Sequence, residues 1–182
     1  MRISAGRAKD VKLKVPAGAR PVSERVRRAI FSSLAAEIDD ARVLDLYCGS
    51  GAYGLEALSR GAASAVFVDS DERAVEACVS NAKAAGLAAV AKVRRAPIDR
   101  YLERAGRDGP FDLVFVDPPY SAREHGGRLL EALSPLVAEA GMVVLETRWT
   151  ENAAVPAADL VVEDDRRYGD TRILVFRSVG AR

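Results

Sequence analysis

The segment Asp45-Leu46-Tyr47-Cys48-Gly49-Ser50-Gly51-Ala52-Tyr53-Gly54 joins the end of an apolar run to a glycine-spaced turn and then to a helical pattern. Glycine adopts positive φ freely and lets a backbone approach a ligand closely. By spacing, Gly49, Gly51 and Gly54 satisfy GxGxxG, the dinucleotide fingerprint, and Asp69 stands near the acidic position expected about 20 residues on. The turn alone therefore leaves a dinucleotide and S-adenosylmethionine both open. Asp45 tips the choice, because a carboxylate four residues before the first glycine helps hold an ammonium group and repels a pyrophosphate. Tyr47, Gly49, Ser50 and Gly51 are the loop residues expected against that cofactor. Asp69 ends the next apolar run, where its carboxylate can accept both ribose hydroxyls, with Ser70 beside it. Asp71 reads equally well as the N-cap of a helix beginning at Glu72.

A second group stands at Asp117-Pro118-Pro119-Tyr120. Two consecutive prolines remove two backbone donors and fix φ, so the segment presents acceptor oxygens stiffly. That arrangement suits an amino-group substrate. The exocyclic amine of guanine or adenine is a poor nucleophile because its lone pair is delocalised into the ring. Acceptance of its N–H bonds by the Asp117 carboxylate and the Pro118 carbonyl localises that lone pair for in-line attack on a sulfonium methyl. Catalysis would then be mostly positioning and electrostatics. Tyr120 would stack on the base, an interaction worth roughly 1–3 kcal/mol.

These groups need strands to hold them. Apolar runs and helical patterns alternate as Arg42 to Tyr47, Gly54 to Arg60, Ala65 to Asp69, Glu72 to Ala85, Val90 to Arg94, Ile98 to Ala105 and Leu113 to Asp117. A helix over Arg128 to Ala138, a strand over Met142 to Glu146 and two strands near Leu160 to Val162 and Arg172 to Phe176 follow. A leading helix spans Val22 to Ile38 and places Arg27 inside its apolar arc, with Arg25 and Arg28 outside it. The pattern predicts an α/β domain, a mostly parallel seven-stranded sheet with helices on both faces and a C-terminal antiparallel hairpin across a polar loop. In such a sheet ligands sit beyond the carboxyl ends of the strands, where both groups lie.

Composition fits that picture. The chain has 182 residues, 49% hydrophobic and 29% charged, with a mean hydropathy of −0.03, as expected of one globular domain that buries about 70% of its unfolded surface. No apolar stretch nears the roughly 20 residues that span a bilayer, and a cytoplasmic protein without a membrane partner is expected. Cys48 and Cys78 read as packing residues, as does Trp149, and the one histidine, His125, as a surface or capping residue. No metal site can be assembled from this set. Charge is segregated: residues 1–30 hold nine Lys or Arg against Asp10 and Glu24, a net of +7, and the remainder is −6. A basic N-terminal arm over 1–21, ahead of a domain over 22–182, is expected to meet RNA phosphates through Arg2, Arg7, Lys9, Lys12, Lys14 and Arg20, with Arg25 and Arg28 beyond it.

Five further pieces carry a resemblance: Arg2-Ile3-Ser4-Ala5-Gly6, the stretch Arg20-Pro21-Val22-Ser23-Glu24-Arg25-Val26-Arg27, the loop Asp45 to Gly51, Leu55-Glu56-Ala57-Leu58-Ser59-Arg60-Gly61-Ala62, and Tyr168-Gly169-Asp170-Thr171. With the Asp117 motif, the chain resembles the bacterial 16S rRNA guanine-N2 methyltransferase D family, which modifies guanine 966. The resemblance covers nearly the whole length. It implies a Rossmann-like class I fold, S-adenosylmethionine as donor, the guanine N2 amine as target, and 16S rRNA within small-subunit precursors as partner; a monomer is expected. Val22, Cys48 and Asp10 depart from the family's pattern. Arg95-Ala96-Pro97-Ile98 offers no polar side chain aimed at adenine, which leaves Ala96 as a backbone contact. Two other enzymes fit parts of the pattern: a DNA or tRNA adenine-N6 methyltransferase shares the Asp117 chemistry, and an NAD-dependent oxidoreductase shares GxGxxG but leaves that motif without a purpose. A catalytically silent RNA-binding assembly factor is disfavoured by the intact motif.

Overall fold

A computed structural model describes residues 1–16, 23–104, 108–119, 126–148 and 159–180. Strands β1 (Arg42–Leu46), β2 (Ser64–Asp69), β3 (Ala91–Arg95), β4 (Phe111–Val116), β5 (Val137–Arg148), β6 (Leu160–Tyr168) and β7 (Thr171–Ser178) form one sheet in the order β3-β2-β1-β4-β5-β7-β6. The first five are parallel, and β7 runs antiparallel to both β5 and β6. This is the mostly parallel sheet and closing hairpin expected from the sequence.

Strand side chains alternate between faces, and each face is buried under helices. Val43, Phe67, Leu113, Phe115 and Val144 pack under α1 (Glu24–Ser33), α2 (Ala52–Ser59) and α3 (Glu72–Ala84). Leu44, Val68, Val114, Val116 and Leu145 pack under α4 (Ile98–Leu102) and α5 (Gly126–Leu133). Asp45 is the exception on β1: by register it belongs among Phe67 and Phe115, which places a carboxyl in an apolar layer.

Residues 1–14 fold back on the domain. Ile3, Ala8 and Leu13 are buried in the α1–α3 core, Arg7 N–H donates to the Ser59 carbonyl at 2.8 Å, and Ala8 N–H donates to Ser59 Oγ at 2.9 Å. The side chains of Arg2, Arg7, Lys9, Lys12 and Lys14 remain exposed.

Several element bounds differ from the sequence reading. The described part of the leading helix is Glu24–Ser33, and Leu34 and Ile38 stay buried through a 3-10 turn at Ala35–Glu37 that prolongs the apolar face. The helix expected to reach Ala138 stops at Leu133. Pro135 cannot continue it, a 3-10 turn fills Ser134–Leu136, and β5 begins at Val137. The polar loop expected after Val162 is instead strand up to Tyr168, tied to β7 by Arg172 Nη2 to Asp165 Oδ2 at 2.6 Å and Arg177 Nη2 to Glu163 Oε1 at 3.0 Å. Among the described residues no helix is long and apolar enough to cross a membrane.

Candidate active site

Successive strands step from β1 outward to β3, and the chain then returns to place β4 on the other side of β1. The reversal opens a crevice beyond the carboxyl ends of β1 and β4, where open α/β sheets bind ligands. Leu46 pairs with Val116, so the loops starting at Tyr47 and Asp117 leave the sheet side by side.

The first loop turns sharply. Tyr47 (φ 56°), Gly49 (φ 52°) and Gly51 (φ 78°) are left-handed, and Gly51 caps α2. A Cβ on Gly51 would sit 2.8 Å from Cys78 Sγ, and one on Gly54 2.3 Å from the Phe67 ring, so both glycines are demanded by packing beneath the loop. A Cβ on Gly49 would meet only the Tyr47 carbonyl at 4.0 Å, which leaves the upper side of the turn open. Asp69 closes the loop's far end: Oδ2 accepts the Gly49 N–H at 2.9 Å and Oδ1 accepts the Asp71 N–H at 3.0 Å. Each oxygen keeps capacity to accept a further hydrogen bond. Asp71 caps α3 by accepting the Arg73 N–H, the capping role open to it from sequence. Ser70 is exposed beside them, and the Ala96 N–H is committed to the Asp69 carbonyl at 3.0 Å.

Asp45 forms the floor. It is 2% exposed, and its Oδ2 accepts the Gly54 N–H at 2.9 Å. Burial pushes its carboxyl well above the usual carboxylate range, and the charges of Asp117 and Asp69 add to the rise, against the Gly54 bond, which lowers it. A cation delivered to this floor would reverse that shift. Cys48 and Cys78 meet beneath the loop, and their mutual hydrogen bond and burial raise the Cys48 thiol.

Asp117 is half-buried, Pro118 buried and Pro119 exposed at the end of β4. Tyr120 and His125 lie outside the described residues, as do Arg20 and Trp149. Two residues absent from the sequence reading complete the crevice. Tyr53, on α2, stacks on Phe115 at 5.1 Å and 9° and donates its hydroxyl to Glu146 Oε2 at 2.6 Å, and burial with the charges of Glu146 and Asp117 keeps it protonated. Asn81, on α3, donates to the Ser50 carbonyl at 2.9 Å and exchanges two backbone bonds with Lys14, so it ties the basic N-terminal segment to the loop. Their only sequence signal is a polar residue on an otherwise buried face.

Asp45, Gly49, Gly51, Asp69 and Asp117 thus converge at one end of the sheet. Arg25 and Arg28 are exposed on α1, and Arg28 is paired with Glu24 at 2.8 Å. A separate hollow of about 420 Å³ lies at the opposite, amino end of β1 to β3, lined by residues such as Arg42, Lys92 and Asp108, far from the glycine turn.

Sheet order, hairpin and strand-end crevice define the fold of the Rossmann-like class I methyltransferases. The chain matches, over residues 1–177, the family described as Conserved hypothetical protein 95, and it belongs to that family. It is 34% identical to Bacillus subtilis YlbH, with 99% of this chain and 100% of that protein covered. It is 41% identical to the Escherichia coli ribosomal RNA small subunit methyltransferase D over 122 residues, 66% of this chain and 60% of that one. The solved structure of Escherichia coli yhhF superposes with a TM-score of 0.86 at 32% identity, covering 98% of this chain and 97% of that one.

Proposed function

We propose that this protein transfers a methyl group from S-adenosylmethionine to the N2 amine of a guanine in 16S rRNA, of the guanine 966 type, acting as a monomer on small-subunit precursors. The carrying observation is the placement of Asp117 and Pro118 directly beside the glycine turn, at the switch point between β1 and β4. The relative named ribosomal RNA small subunit methyltransferase D supports the rRNA substrate.

The donor set fits this cofactor better than a dinucleotide. Asp69 has acceptor capacity for a ribose diol, the space above Gly49 is open, and the acidic floor at Asp45 suits an ammonium group. A pyrophosphate needs free loop amides, whereas the Gly49 N–H is already donated to Asp69 and the charges of Asp69 and Asp117 stand at the crevice. When bound, S-adenosylmethionine supplies an electrophilic methyl on a sulfonium. Asp117 and the Pro118 carbonyl accept the two N–H bonds of the amine, draw its lone pair out of the ring and aim it. Tyr120 stacks on the base. The exposed basic side chains Arg2, Arg7, Lys9, Lys12 and Lys14, with Arg20, Arg25 and Arg28, hold the RNA backbone.

The test incubates the protein with methyl-labelled S-adenosylmethionine and small-subunit particles lacking the modification, then digests the rRNA to nucleosides. Label in N2-methylguanosine is expected. Label in N6-methyladenosine refutes the guanine assignment, and tighter calorimetric binding of NAD than of S-adenosylhomocysteine refutes methyl transfer.

A further inference from the structure

Asp117 alone cannot tell guanine from adenine, because each base offers it an exocyclic amine. The bases differ one atom along the same edge: N1 of guanine carries a hydrogen and donates, whereas N1 of adenine accepts.

Glu146 is placed to read that atom. It lies near the carboxyl end of β5, and the pairing of Val116 with Leu145 makes it the neighbour of Asp117 where β4 ends. It pairs with Ile173, a residue of the α1–α3 core, so its side chain projects to the same face of the sheet as Tyr53 and Asp45. Tyr53 fixes Oε2 through its 2.6 Å hydrogen bond, and the stack on Phe115 immobilises the phenol in turn. Glu146 is half-buried, and among the described residues Oε1 has no hydrogen-bond partner. One oxygen is therefore locked and the other is offered to the crevice as an acceptor. A tether of this kind positions a group for recognition; an ordinary core contact would bury the carboxylate or pair it with a cation.

We propose that Glu146 is the specificity-determining residue of the site, accepting the N1–H of guanine and rejecting bases whose N1 is an acceptor. The assignment rests on the methyl-transfer reading above. It makes base choice a matter of one carboxylate beside a motif shared by guanine and adenine enzymes.

The test uses small-subunit particles assembled on rRNA ligated to carry guanine or 2-aminopurine at the methylated position. 2-Aminopurine keeps the 2-amino group but has an acceptor at N1. Wild-type protein should prefer guanine by roughly 10- to 100-fold in kcat/KM, the discrimination of one good edge contact. In Glu146→Gln the amide can donate to the 2-aminopurine N1 and its oxygen can still accept from Tyr53, so the ratio should fall to near one or invert. Affinity for S-adenosylhomocysteine and the melting temperature should hold. A ratio equal to the wild type's overturns the proposal, as does a wild type that accepts both bases alike. Should Glu146→Gln fail to fold, Tyr53→Phe releases the tether while keeping the ring stack, and the proposal then requires a several-fold smaller ratio. Methylation of adenine N6 with none at guanine would instead defeat the underlying reading, a result recognisable before any variant is made.

Discussion

Glu56 holds the N-terminal segment, α1 and α2 together, and its removal should cost far more than removal of the arginine it faces. It is fully buried and accepts from Ser4 N–H at 2.8 Å, Ser4 Oγ at 2.6 Å and Arg60 Nε at 2.8 Å. Arg27 Nε stands 3.4 Å from Glu56 Oε2, and Arg27 Nη2 donates to the Arg2 carbonyl. Arg27 is also fully buried, and its Nε and Nη1 have no hydrogen-bond partner among the described residues. Burial lowers its pKa and the charge of Glu56 offsets part of that fall, so the carboxylate is what keeps this cation tolerable in the core. Glu56→Ala leaves that charge uncompensated and should cost about 3–5 kcal/mol. Arg27→Met leaves Glu56 with Arg60 and both Ser4 donors, fills similar volume and removes two unsatisfied nitrogens, so its cost should stay within about 1 kcal/mol. At about 2–4 °C per kcal/mol for a chain of this size, Glu56→Ala should melt roughly 6–20 °C below wild type. Urea unfolding of both variants and the double mutant measures the asymmetry. An Arg27→Met as damaging as Glu56→Ala would contradict this asymmetry and make the pair itself the stabilising element.

Three other outcomes are expected. The carboxyl of Asp45 is raised by burial, so the folded state holds a proton that the unfolded state gives up above about pH 3.9. Asp45→Asn should therefore stabilise the ligand-free protein, by a margin absent at low pH and growing toward neutrality, while weakening S-adenosylhomocysteine binding; thermal melts across pH check this, and a destabilised variant at pH 7 contradicts it. Asp117→Ala should lose methyl transfer with cofactor affinity near wild type by calorimetry, and equal loss of both would mean that Asp117 serves the cofactor. Neutralising Lys9, Lys12 and Lys14 together should flatten the slope of log RNA affinity against log salt by about two units without changing cofactor affinity; an unaltered slope would remove these side chains from the RNA interface.

The parallel core was legible because its strands are short apolar runs between helical patterns, and the turn and Asp117 motif were legible because glycine and proline mark backbone conformation directly. Arg27 was legible too, since its place in the apolar arc of α1 predicts the burial observed. The hairpin was legible as a pair of strands, but the full length of β6 was not, because an edge strand facing water carries charges, and Glu163 to Arg167 resemble a loop until their pairing with β7 is seen. The register of β5 was hidden by Glu139 and Ala140, the latter at φ 60° beside an irregular step in the ladder. Net charge marked the N-terminal segment correctly as basic, but charge says nothing of Ile3, Ala8 and Leu13, whose burial docks it on α2 and α3. Tyr53, Glu146 and Asn81 escaped for a related reason: each acquires meaning only from a partner far away in sequence.

Mass spectrometry of 16S rRNA from a strain lacking the gene tests the proposed methyl transfer to one guanine N2 in small-subunit rRNA. Loss of N2-methylguanosine at a single position is expected, restored by the wild-type gene and not by Asp117→Ala. A methylation profile unchanged by the deletion, or loss of a different modified nucleoside, would contradict it.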